Sequence, residues 1–175
     1  MSCTRYYIGV DPSGAFNEGK GTTGIAVYDK KEDKIVYIDS VCADHYDKLE
    51  SFFYETYTKL YGLAKHYEAP IMIEDFLVYA THATTFTNSK METCQLLGYL
   101  KTMCFTDNIR YMLEPASAVK TRWSNSILVH KHYVDCIGAS CFHPLIEGSA
   151  LMPHELDAIR HAVNGGKYKF KEERV

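Results

Sequence analysis

Four side chains in this sequence stand out by their setting as candidate ligands of a hard divalent cation: Asp11, Glu74, His154 and Asp157. Asp11 closes the run YYIGVD just before Pro12, Ser13 and Gly14, and Glu74 closes the apolar run APIMIE. An ionised carboxylate at the edge of a core is unfavourable by several kcal/mol unless something positive compensates it. Carboxylate oxygens suit Mg²⁺, and a histidine among them also admits Mn²⁺. Two such ions about 4 Å apart can activate water on one side of a phosphodiester and stabilise the leaving oxygen on the other. The chemistry these residues could do is metal-assisted hydrolysis.

His154 and Asp157 lie three apart in PHELDAIRHA, so a helix there presents both on one face. Each residue also has a plainer role. Asp11 suits a turn before Pro-Ser-Gly, and His154 with Glu155 suits a polar helix start. Asp157 lies among Leu156, Ala158 and Ile159 on a helix that should pack, which favours a ligand. His161, one turn further on, reads as a supporting or core histidine. Asp75 should face the opposite side of its strand from Glu74 and be solvated.

Something must bring these residues together. Residues 5–10, 22–28 and 34–41 read as three successive antiparallel strands. Residues 44–66 follow helical spacing, with Leu49, Phe52, Phe53, Tyr57, Leu60 and Leu63 on one face. A fourth strand ends at Glu74, a second helix covers 89–105, and a fifth strand covers 109–115. Two helical pieces at 116–123 and 126–138, the loop GASCFHPLIEGSA and a last helix from Pro153 complete the order. This is an α/β pattern in which the first and fourth strands can lie side by side. The 175 residues are read as a single domain, 1–175.

A net charge of −3 argues against a surface that grips nucleic acid everywhere, so any such site must be a local patch. The six cysteines form no CxxC pair, and there is no leader or apolar run long enough to cross a bilayer. Free thiols and a cytoplasmic location follow as expectations. Cys136, Cys141 and His143 are conceivable zinc ligands, although their spacing is unlike common structural zinc sites.

The stretches IGVDPSG with TTGIAVYD, IMIEDF, CQLLGYLK, LEPASAVK and HELDAIRHA span nearly the whole chain. In that order they resemble the RuvC family of Holliday-junction resolvases, within the RNase H-like superfamily, and phage-encoded versions in particular. The resemblance implies an RNase H-like mixed five-stranded sheet, three strands antiparallel and two parallel, flanked by helices. It implies a homodimeric DNA endonuclease that cuts four-way or other branched DNA, with two Mg²⁺ or Mn²⁺ ions per site. Asp11, Glu74 and Asp157 match the family's metal-binding acids, and His154 stands where some members have histidine and others aspartate.

The resemblance further implies DNA contacts from Lys120 and Lys131, with Arg122 and His132 completing a basic patch. The plainer role of that patch is a solvated helix face. Phe76 or Tyr79 matches an aromatic residue that wedges the junction by stacking on bases. The helix carrying Gln95, Leu96, Leu97 and Gly98 resembles the family's dimer helix. The SGAFNEGKG hairpin and the segment after Glu74 are longer than usual, which leaves sequence preference at the cut open. GKGTTGIAVYD also fits, locally, the phosphate hairpin of an actin-like or sugar-kinase-like ATPase, but the chain has no second glycine-rich phosphate motif. A catalytically silent RNase H-like DNA-binding module is the remaining alternative.

Overall fold

The computed structural model describes residues 4–75 and 88–168. Phe76 and Tyr79 lie outside the described residues. Strands β1 (Tyr6–Asp11), β2 (Thr22–Asp29) and β3 (Lys34–Cys42) form an antiparallel meander. Strands β4 (Ile71–Asp75) and β5 (Tyr111–Pro115) run parallel to β1, giving the order β3-β2-β1-β4-β5. This is the expected mixed five-stranded sheet.

Helices α1 (Leu49–Tyr67) and α2 (Asn88–Thr106) cover one face. Their core with the sheet is apolar and includes Ile8, Val10, Ile25, Val27, Ile71, Ile73, Phe52, Leu60, Leu96 and Leu100. Since strand side chains alternate, Tyr7, Ala26, Tyr28 and Met72 point to the other face. There they meet α5 (Pro153–Lys167), with Trp123, Leu128 and Tyr133 packed alongside. The short helices α3 (Ala116–Arg122) and α4 (Asn125–His130) connect the sheet to this second layer.

The segment read as a helix over 126–138 is a helix only as far as His130. His132 adopts φ 59°, a left-handed conformation that a continuing helix excludes. The chain then forms a ribbon of β6 (Asp135–Ile137) and β7 (Ser140–Phe142). Apolar spacing in ILVHKHYVDCI suits a helix, but burial of Tyr133 and Val134 in the core on the α5 side wins. Cys136 and Cys141 sit directly opposite each other in this ribbon and are joined by a disulfide. The expectation of free thiols is therefore wrong for this pair, and the two sulfurs needed for the conceivable zinc site are already bonded to each other. Among the described cysteines, Cys42, Cys94 and Cys104 are free.

Helix α5 starts at Pro153 as expected, and the Glu155 carboxylate accepts a hydrogen bond from the Met152 backbone N–H at 2.8 Å. Two strand glycines set its depth. A Cβ on Gly9 would collide with the Ala158 carbonyl and Ala162 N–H, and one on Gly24 with the His154 carbonyl. The helix backbone thus lies directly on β1 and β2, closer than any side chain there would permit.

Candidate metal centre

Alternation fixes which carboxylates meet α5. Tyr7, Gly9 and Asp11 share its side of β1, Met72 and Glu74 its side of β4, and Met112 and Glu114 its side of β5. The register pairs Val10 with Ile73 and Glu74 with Glu114. Three parallel strands therefore present an acid at their carboxyl ends, where open α/β sheets bind ligands. Close packing at Gly9 and Gly24 brings the first two turns of α5 against the same spot. Asp11, Glu74 and Asp157 each offer a carboxylate oxygen, and these oxygens all lie within 4.8 Å of one another.

His154 lies at the edge of this group, its Nδ1 2.8 Å from Asp11 Oδ2. Asp11 is only 5% exposed. Burial pushes its carboxyl above the usual aspartate value, with the charges of Glu74 and Asp157 adding to the shift against the His154 bond. The same bond raises His154, against its own burial. Both shifts favour a proton on the Asp11–His154 pair.

Lys120 reaches the cluster from α3. Its ammonium lies 2.8 Å from Asp157 Oδ2 and 3.5 Å from Glu74 Oε2. Burial would lower its pKa, but the bond to Asp157 and the surrounding acids outweigh that and raise it. Arg160 bonds the other oxygen of Asp157, and also donates to the Trp123 carbonyl at 2.9 Å. The acids thus draw positive charge from the chain itself.

A buried network supports Glu74 from behind. His161 is fully buried, with Nε2 3.1 Å from Glu74 Oε2 and Nδ1 2.8 Å from Glu114 Oε2. Both partners are carboxylates, so both ring nitrogens donate and the ring is an imidazolium. Burial alone would lower this histidine, yet the two bonds hold its pKa up at about 9. Burial likewise raises Glu74, but the His161 bond and the charge of Lys120 prevail and hold it below its ordinary value. Asn164 donates to Glu114 Oε1 at 2.7 Å, and its own oxygen accepts from Arg122 at 2.8 Å and Trp123 at 3.1 Å.

No protein-family model and no curated protein sequence matches the chain. Solved structures do. Thermus thermophilus RuvC in complex with a Holliday junction substrate matches with a TM-score of 0.63 at 11% identity, over 91% of this chain and 90% of that one. A second structure of Thermus thermophilus RuvC gives 0.57 at 11% identity, over 90% and 91% of the two chains. This chain has the RuvC fold.

Within the RuvC fold, three of the four expected ligands are brought together and the fourth, His154, is hydrogen-bonded to one of them. The basic residues expected on a DNA-facing patch are placed differently from one another. Lys120 is paired with the acids. Arg122 donates to Asn164 and lies 4.1 Å over the Tyr168 ring, and Lys131 is exposed just after α4. Sequence reasoning missed Glu114, Arg160 and Asn164. Glu114 had a signal: an acid inside YMLEP, at the same position relative to its strand end as Glu74.

The donor set suits a hard cation. All three converging ligands are carboxylates, without a thiolate, and the Lys120 ammonium already bridges two of them. Among the described residues, no helix is long and apolar enough to cross a membrane.

Proposed function

We propose that the chain is a divalent-metal-dependent, structure-selective DNA endonuclease that resolves four-way junctions and accepts other branched DNA. The observation that carries this reading is the convergence of Asp11, Glu74 and Asp157 within 4.8 Å on a RuvC fold. The matched Thermus thermophilus RuvC was solved with a Holliday junction substrate, which gives the reading its substrate.

Asp11, Glu74 and Asp157, with His154, would hold two Mg²⁺ or Mn²⁺ ions. Bound there, the ions supply Lewis acidity at the scissile phosphate and an activated water at neutral pH. The chain's own part is electrostatic and positional. Lys120 and Arg160 compensate Asp157, and Lys120, at the edge of the cluster, would also serve a phosphate oxygen. Arg122 and Lys131 add cations for the DNA backbone, and Phe76 or Tyr79 supplies a stacking wedge.

Paired cuts across a junction require two sites, which a two-fold dimer supplies. The exposed side of α2 offers a seam for it. Met91, Gln95, Gly98, Thr102 and Phe105 are all exposed and follow a four-three-four-three spacing, the repeat of a helix packed along a second helix. Phe105 is 67% exposed and Met91 47%. Apolar exposure at the two ends of this stripe supports reading it as that seam.

The test is incubation of purified protein with labelled four-way, three-way and linear DNA, with Mg²⁺, Mn²⁺ or chelator. Metal-dependent, symmetric nicking of the four-way substrate is expected, with binding retained and cleavage lost in Glu74→Gln. Junction binding without cleavage under any metal would leave only a DNA-binding module.

A further inference from the structure

We propose that His161 is the positioning residue of Glu74, holding this carboxylate in the orientation that faces the metal centre. The inference rests on the metal-binding reading above and concerns how the chain builds that site.

Glu74 and Glu114 are neighbours across parallel strands, on the same face, in exact register. Their side-by-side placement leaves open which of the two faces the cluster, and their hydrogen-bond partners decide it. Glu114 is the committed one: Oε2 is bonded to His161 and Oε1 to Asn164 in a buried network, and it lies outside the cluster that Asp11, Glu74 and Asp157 form. Glu74 is bonded to His161 through Oε2 and keeps its place in the three-carboxylate cluster. His161 itself has no freedom, being fully buried on α5 with both nitrogens engaged. It therefore transfers the rigidity of the Glu114–Asn164 pair to the one ligand that comes from β4. Asp157, four residues earlier on α5, is placed by the same helix. One helix thus both supplies a ligand and orients another. Partners of this kind behind metal ligands typically contribute 10–100-fold in metal affinity.

The probe is Mn²⁺ alone, titrated into the full-length protein by calorimetry and followed by the Mn²⁺ electron paramagnetic resonance signal. Glu74→Gln should lose Mn²⁺ binding, which checks the underlying metal site. His161→Leu alone leaves Glu114 buried and partly unpaired and can fail to fold. The double variant His161→Leu with Glu114→Leu removes both polar groups, and should melt as a folded protein. We expect it to bind Mn²⁺ roughly 10–100-fold more weakly than wild type. His161→Gln, whose amide can still donate to Glu74, should recover most of the affinity. If the folded double variant binds Mn²⁺ as wild type does while Glu74→Gln does not, His161 is only a packing residue. If Glu74→Gln itself binds as tightly as wild type, the metal reading fails and the positioning role falls with it.

Discussion

The two faces of the central sheet are built from the same strands and differ at the strands' carboxyl ends. On the α1/α2 face β1, β4 and β5 present Ile8, Val10, Ile71, Ile73 and Leu113 to an apolar core. On the α5 face the same strands present Tyr7 and Met72 to a second apolar core, Gly9 to the α5 backbone, and Asp11, Glu74 and Glu114 at their carboxyl ends. The period of two lets each face be composed independently. Both faces supply burial, at about 25 cal/mol per Å² of apolar surface. Only the α5 face also gathers like charges, at the carboxyl ends of its strands, in a poorly hydrated place, which opposes folding unless compensated. A site of this sort is carried by stability made elsewhere.

That contrast is sharpest in one pair of substitutions. Asp11→Asn should reduce junction cleavage by roughly 10³-fold, several kcal/mol of lost transition-state stabilisation, and leave the melting temperature of metal-free protein unchanged or higher. Ile73→Ala, one strand away on the opposite face, should cost about 2–5 kcal/mol in urea unfolding, while its folded fraction cleaves normally. A destabilised Asp11→Asn protein that still cleaves would break the division between the faces. Gly9→Ala tests the boundary, because its methyl group has to push α5 off β1. Overpacking should cost about 1–3 kcal/mol, and cleavage by the remaining folded protein should also fall because Asp157 moves away from Asp11. Normal cleavage in that variant would mean that the depth of α5 does not set the site.

How much of this could be read from the sequence follows from the range of the interactions. Asp11 and Glu74 were legible because each ends an apolar run, a local signal, and His154 and Asp157 because helical spacing is local. Five strands and the three long helices were legible for the same reason. The partnership of Glu74, Glu114 and His161 depends on the β4–β5 register and on where α5 lies, so no local pattern announces it. Lys120 was expected on a DNA-facing patch, and its pairing with Asp157 could not be read because it depends on how α3 turns the side chain toward α5. The β6–β7 ribbon was missed because its apolar spacing is also that of a helix, and a cross-strand disulfide cannot be deduced from two cysteines five residues apart.

A smaller effect separates two aspartates at the ends of neighbouring strands. Asp29 at the end of β2 is held down to about 2 by its hydrogen bond with Arg5, reinforced by the Lys31 and Glu32 backbone N–H groups, and this outweighs its burial. Its folded pKa is below its unfolded value of about 4, so its contribution is complete above that value and disappears as pH falls toward 2. Asp11 has the opposite sign. Its raised folded pKa makes it neutral to stability below about 4, and a growing penalty as pH rises through its folded value. In chelator, Asp29→Asn should therefore melt lower than wild type at pH 7 and converge with it near pH 2. Asp11→Asn should melt higher at pH 7, and the gain should shrink as pH approaches 4. Parallel melting curves across this range for either variant would contradict the assigned sign.

The smallest expected effects come from two helix glycines that face open space. A Cβ on Gly62 of α1 or Gly98 of α2 would touch nothing within 4 Å. Glycine inside a helix is unfavourable by up to about 1 kcal/mol against a better helix former, so Gly62→Glu and Gly98→Glu should each stabilise an isolated protomer slightly. Intramolecular packing gives no reason for the two to differ. They differ only if α2 is covered by a second copy, because Gly98 lies mid-stripe between Gln95 and Thr102, where close approach needs a small residue and two facing carboxylates repel. Sedimentation of the two variants should then show Gly98→Glu as a monomer and Gly62→Glu as a dimer. Since a junction needs two sites, Gly98→Glu should also uncouple the paired cuts into single nicks while each protomer keeps its metal centre. A dimer that survives Gly98→Glu would place the seam on another surface, and a monomeric wild type would remove the need for one.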